Sequence, residues 1–79
     1  MNENIQNEVT ASVFTQTFYD KDAVTHFTED GEYGYAVDDG RVTMFNCDGY
    51  PAANETDEER FHHLISQHGP QGTWEILDR

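Results

Sequence analysis

Alternating apolar and polar positions predict a β-hairpin near the middle of the chain. Apolar residues alternate with other residues in the stretch YGYAV at 33–37 and again in VTM at 42–44. A period of two is what a half-buried strand requires. The Asp-Asp-Gly sequence at 38–40 suits the tight turn between them, because Asp and Gly tolerate positive φ. The sequence therefore predicts a hairpin over about residues 32–46.

A helical period follows the hairpin. The apolar residues of FHHLI at 61–65 fall on one helix face. Thr56, with Glu59 three residues later, matches a capping box, and the acids around it suit the helix dipole. Gly69-Pro70 is a stop signal. Together these features predict an α-helix over about residues 57–68.

Strand-forming residues occupy the remaining segments. Residues 9–19 are rich in Val, Thr, Phe and Tyr, and residues 24–27 form a second short apolar run before a turn signal. In GTWEILD at 72–78 the apolar side chains are in step for a final strand. Residues 1–7 are polar, which is typical of a frayed terminus.

These elements predict one α+β domain over residues 1–79. A small antiparallel sheet of three to four strands would pack against the single helix. The chain starts without a basic or apolar leader, contains no run long enough to span a bilayer, and has one cysteine. The expected location is therefore the cytoplasm.

Charge sets the chain apart from an ordinary small domain. Sixteen Asp and Glu against four Lys and Arg give a formal net charge of −12. A globule of 79 residues has a diameter of about 30 Å, and duplex DNA of that length carries about 18 charges. Such a field repels nucleic acids and anionic membranes and attracts basic surfaces, so we expect a basic protein partner and no direct nucleic-acid binding.

The carboxylates cluster at predicted turns, strand ends and the helix start. Turn preference, solubility and adaptation to high salt each explain acids there, but turn preference does not explain the scarcity of Lys and Arg. We expect Glu29, Asp30 and Glu32, continued across the turn at Asp38 and Asp39, to form one continuous negative edge. The candidate partner-binding face comprises Asp20, Asp22, Glu29, Asp30, Glu32, Asp38, Asp39, Asp48, Glu55, Asp57, Glu58 and Glu59, with Tyr50 as an aromatic anchor.

Motifs for catalysis or metal binding are not found in the sequence. The stretch at 44–55 resembles a calcium loop but begins with Met44 where the loop needs Asp. His62, His63 and His68 do not share a helix face in the spacing that zinc requires. We therefore expect no enzyme activity, cofactor or specific metal site, and weak divalent-cation binding stays an alternative.

The composition resembles that of small acidic DNA-mimic inhibitors from phages and other mobile elements, of the anti-CRISPR or anti-restriction type. The resemblance rests on length, a charge of −12 and a single lysine within an aromatic-containing chain. It implies stoichiometric blocking of a basic DNA-binding surface in a host defence or DNA-processing complex, inside the bacterial host cell. A non-catalytic adaptor that binds a basic partner is the alternative, and a homodimer through a strand edge also stays open.

Overall fold

The protein folds as an antiparallel meander covered on one face by a C-terminal helix. The computed structural model describes residues 13–20 and 23–79. The strands follow one another across the sheet in chain order. The elements are β1 (Phe14–Asp20), β2 (Ala23–Thr28), β3 (Tyr33–Asp38), β4 (Arg41–Asn46), a two-residue β5 (Thr56–Asp57) and α1 (Glu58–Asp78). The predicted α+β class is confirmed, whereas the predicted fraying of residues 1–7 lies outside the described residues.

The predicted hairpin is confirmed as β3 and β4. Its two-residue turn is Asp39 and Gly40, with φ of 53° and 77°. Positive φ at both positions is the type I′ geometry, which matches the right-handed twist of the flanking strands. The strands pair in register from Tyr33 opposite Asn46 to Asp38 opposite Arg41.

The helix α1 is two helical halves joined at Gly69. This residue has φ 72° and ψ 178°, a conformation open almost only to glycine, and Pro70 begins the second half. The predicted stop at this point is thus real. The predicted final strand at 72–78 is wrong, because these residues continue as helix. Thr73 and Leu77 are both buried, four residues apart, which is a helical period that the alternation of Trp74 and Ile76 concealed.

The helix begins one residue later than its capping box predicted. Asp57 is the N-cap, and its carboxylate accepts a hydrogen bond of 2.8 Å from the backbone N–H of Arg60. Thr56 instead lies in β5, where it pairs with Val42 of β4 and is buried. The burial of Thr56 against the sheet removes its hydroxyl from the helix end, so the prediction that Thr56 caps the helix is wrong.

The core lies between the helix and one face of the sheet. An aromatic cluster joins the layers: the ring of Tyr35 lies 4.8 Å from that of Phe14 and 4.6 Å from that of Phe61, centroid to centroid. Most of the helix contact is with β4 and β5. The buried apolar side chains are Phe14, Val42, Met44, Ala52, Phe61, Leu64, Ile65 and Leu77.

Candidate functional site

The acidic residues lie at two opposite ends of the sheet. Glu29, Asp30 and Glu32 occupy the turn that precedes β3, whereas Asp38 ends that strand and Asp39 lies in the turn after it. Five residue steps separate Tyr33 from Asp38, or about 17 Å at 3.3–3.4 Å per step. The expected continuous negative edge is therefore wrong. Antiparallel pairing sends successive turns to alternate ends, so the structure has two clusters instead.

The helix-end cluster is assembled by strand register. Asp38 lies opposite Arg41, and Arg41 lies opposite Asp57 on its other side. The first turn of α1 then adds two exposed acids directly after Asp57. These acids also interact favourably with the positive end of the helix dipole. We define the helix-end cluster as Asp38, Asp39, Glu55, Asp57, Glu58 and Glu59, all exposed.

Two cations lie within this cluster. Arg41 is flanked in register by the two aspartates, and Arg60 lies in the first turn of the helix. Glu55 is held at the middle of β4, where its carboxylate accepts a hydrogen bond of 3.3 Å from the hydroxyl of Thr43. With six carboxylates and two arginines, this surface is strongly negative, and the pairing of the strands holds it in place.

The turn cluster occupies the other end of the sheet. It consists of Glu29, Asp30, Glu32 and Asp48, all exposed. The Asp30 carboxylate accepts hydrogen bonds from the hydroxyl of Thr28 at 2.6 Å and from the backbone N–H of Glu32 at 3.0 Å. These bonds lower the pKa of Asp30 below its usual value, and the bond from Thr28 has the largest effect. Asp30 therefore both orders the turn and holds a charge there.

Two shallow depressions adjoin the clusters, one at each end. The first, about 420 Å³, is lined by Val13 and Pro70 together with Thr28 and two acids of the turn cluster. The second, about 490 Å³, lies at the start of α1 and is lined by Asp57, Glu59, Arg60 and His63. Both are open to solvent, so each can receive a side chain from a partner surface.

Tyr50 is exposed, as predicted for an aromatic anchor. Its side chain is 68% accessible. It sits in a loop that Asn46 orders, because the Asn46 side-chain oxygen accepts from the backbone N–H groups of Asp48 and Tyr50. In a calcium loop at residues 44–55, this side-chain oxygen of Asn46 would be a ligand of the cation. The residue at the first position of that loop, Met44, is buried in β4.

The remaining candidate acids are at or beside β1. Asp20 ends β1 opposite Ala23, at the same end of the sheet as the helix-end cluster. Asp22 lies outside the described residues. Within the described ranges, 13–20 and 23–79, no group of three His, Cys, Asp or Glu side chains could hold a metal ion.

Two tyrosines next to the clusters have raised pKa values. Burial, and then the charge of Glu58, raises the pKa of Tyr35 above its usual value. Burial, followed by the charge of Glu32, does the same for Tyr33. Both phenols therefore stay neutral near pH 7 and leave the negative charge to the carboxylates.

An aromatic pair lies on the far face of the sheet, and sequence reasoning considered Phe45 as an interface anchor without pairing it with Phe27. Phe27 and Phe45 point away from the helix and meet edge to face, with ring centroids 5.7 Å apart. Gly34 lies between them in register, opposite each. The signal was present in the alternation along β4, where Val42 and Met44 occupy the core face and Phe45 is the apolar residue of the other face.

Among the described helical residues, none forms a segment long and apolar enough to cross a membrane. Comparison with protein-family models, with curated proteins and with solved structures finds no match to this chain.

Proposed function

We propose that the protein is a DNA-mimic inhibitor: it binds the basic nucleic-acid-binding surface of a host defence or DNA-processing complex and blocks access of DNA. The observation that carries this proposal is the pair of carboxylate clusters fixed at opposite ends of one short sheet. The inhibitor would be non-catalytic, act at one copy per site, and work in the cytoplasm of the bacterial host cell.

The spacing of the clusters supports mimicry. The length of β3, about 17 Å, corresponds to roughly five base-pair steps at 3.4 Å each. Asp38 and Asp57 are held by strand pairing, and Asp30 by hydrogen bonds within its turn. A rigid array of charges loses little conformational entropy when it binds, which a flexible acidic tail cannot match.

The mechanism is occlusion of a basic surface. Lys and Arg side chains that normally contact phosphates would meet carboxylates, and the net charge of −12 would speed the encounter. Because the charges are exposed, salt screens the attraction, and affinity should fall as ionic strength rises.

The first experiment is a capture assay with DNA as the eluent. The immobilised protein is exposed to nuclease-treated bacterial lysate, and bound proteins are eluted with duplex DNA and identified. A DNA-binding protein released by DNA would support mimicry. A partner that DNA leaves in place, but that a basic peptide releases, would identify an adaptor and contradict the proposal.

The second experiment locates the interface with charge-matched variants. Asp38→Asn with Asp39→Asn removes two charges from the helix-end cluster, and Asn tolerates the positive φ of residue 39. Glu75→Gln with Asp78→Asn removes two exposed charges from the second half of α1. The captured partner should bind the first variant more weakly than the second. Equal binding would show that net charge alone, and not the cluster, determines affinity.

A further inference from the structure

The face of the sheet opposite the helix combines an apolar centre with carboxylates. The core-facing positions are those of Tyr35, Val42 and Met44, so the intervening positions point the other way. Within the described part of the chain, α1 packs on the core side. We define the open face as Phe27, Gly34, Ala36, Asp38, Arg41, Thr43, Phe45, Pro51 and Asp57, with Glu55 bound to Thr43.

The apolar centre is held in place by a glycine. A Cβ on Gly34 would lie 2.5 Å from Cε2 of Phe45, so only glycine lets this ring lie against the strand. The Phe27 ring lies at 77° to the Phe45 ring, and Pro51 pairs with Phe45 in an isolated β-bridge. Both phenylalanines are half-buried. One side of the Phe45 ring is thus packed on backbone, and the ring is ordered before any partner arrives.

Carboxylates lie on the same face as this pair, beyond Thr43. Thr43 precedes Phe45 by two positions on the same face, about 6.6 Å away, and its hydroxyl donates to Glu55. Farther along the face are Asp38 and Asp57, on either side of Arg41. Three carboxylates against one arginine leave this face negative beside an aromatic surface.

We propose that the open face binds an arginine-bearing surface of the partner protein, with a guanidinium stacked on the ring of Phe45 and neighbouring basic groups paired with Glu55, Asp38 and Asp57. This inference rests on the proposed function and names the surface that performs it. Charge complementarity selects the occupant: a net charge of −12 disfavours nucleic acid, an anionic membrane or a second copy of the chain. Arginine fits better than lysine because its planar group stacks on aromatic rings and pairs with carboxylates.

The test compares octa-arginine with octa-lysine, two peptides of equal charge, by titration calorimetry at low salt. Wild-type protein should bind octa-arginine roughly two- to fivefold more tightly, the ratio expected from one exposed cation–π contact. Phe45→Leu, which keeps an apolar side chain, should lower this ratio to the part that carboxylate pairing supplies, and a ratio equal to that of wild type would overturn the stacking on Phe45. Trp74→Leu removes an aromatic side chain on the helix side of the sheet, away from the open face, and should preserve it. Circular dichroism confirms that each variant is folded.

The outcomes separate this inference from the proposed function. Asp38→Asn with Asp57→Asn should weaken both peptides alike, and Asn still caps the helix. If wild type binds the two peptides equally, the open-face inference is overturned while the acidic clusters stand. If neither peptide binds at low salt, the proposed function fails as well. A doubling of mass in analytical ultracentrifugation that Phe45→Leu abolishes would assign the face to a second copy and overturn the inference.

Discussion

At the scale of single residues, Gly34 determines the shape of the open face. We expect Gly34→Ala to lower the free energy of unfolding by about 1–3 kcal/mol, the usual cost of overpacking, because its Cβ would lie 2.5 Å from Phe45 and 3.0 Å from the His26 carbonyl oxygen. Urea denaturation measures the change. In the Phe45→Ala background the same substitution should cost less, and an equal cost in both backgrounds would contradict the contact.

Asp30 gives the fold a specific acid sensitivity. Its folded-state pKa is below the ordinary value of 3.8, so the stability it contributes is present above pH 3.8 and is lost as pH falls through the folded pKa. Asp30→Asn should therefore lose stability relative to wild type at neutral pH, and this gap should narrow below pH 3.8. Thermal denaturation across this range, with Asp48→Asn as a charge-matched comparison, measures it. A gap that is constant with pH would mean that the Asp30 charge has no part in ordering the turn.

At the scale of elements, two substitutions at the start of α1 test whether Asp57, as observed, or Thr56, as predicted from the sequence, is the N-cap. Asp57→Ala should destabilise the fold by about 0.5–2 kcal/mol, the typical loss for an N-cap, because it removes the acceptor for the Arg60 N–H. Thr56→Val should be neutral or stabilising, because the buried Thr56 hydroxyl has no hydrogen-bond partner. Chemical denaturation of both variants measures the difference. The reverse order would restore Thr56 as the cap.

Elements with a local signal were predictable from the sequence, and those decided by tertiary contacts were not. The turn at Asp39-Gly40 and the break at Gly69 depend on backbone preferences that single residues express. The sequence of residues 72–78, in the second half of α1, is compatible with a strand or with a helix. Burial of Thr73 and Leu77 settles the choice, and the partners that bury them are distant in sequence. In the same way, Asp57 and not Thr56 is the N-cap, because the pairing of β5 with β4 buries Thr56 against the sheet.

At the scale of the whole molecule, net charge should limit stability. A charge of −12 on one small domain repels itself, and added salt screens that repulsion. We expect Tm to rise by a few degrees between about 10 mM and 500 mM NaCl, where the screening length falls well below the size of the domain. Differential scanning calorimetry measures it. If the protein instead folds only in molar salt, its acidity would be explained by adaptation to high salt.

The candidate site was predictable as composition but not as arrangement. The identity of the exposed acids follows from the preference of Asp and Glu for turns and helix starts. Their division into two clusters depends on strand direction, which sends the turn at Asp30 and the turn at Asp39 to opposite ends. The open face depends on which side of β4 the helix covers. Composition alone holds no information on either point.

The order of the strands has a consequence for how the chain folds. Every strand pairs with its neighbour in sequence, from β1 to β5, and the helix follows directly. Contacts of short sequence separation close small loops, which costs less chain entropy than pairing strands that are distant in sequence. The type I′ turn at Asp39-Gly40 can nucleate the sheet locally. A chain of this topology should therefore fold faster than one of equal length whose sheet pairs strands that are distant in sequence.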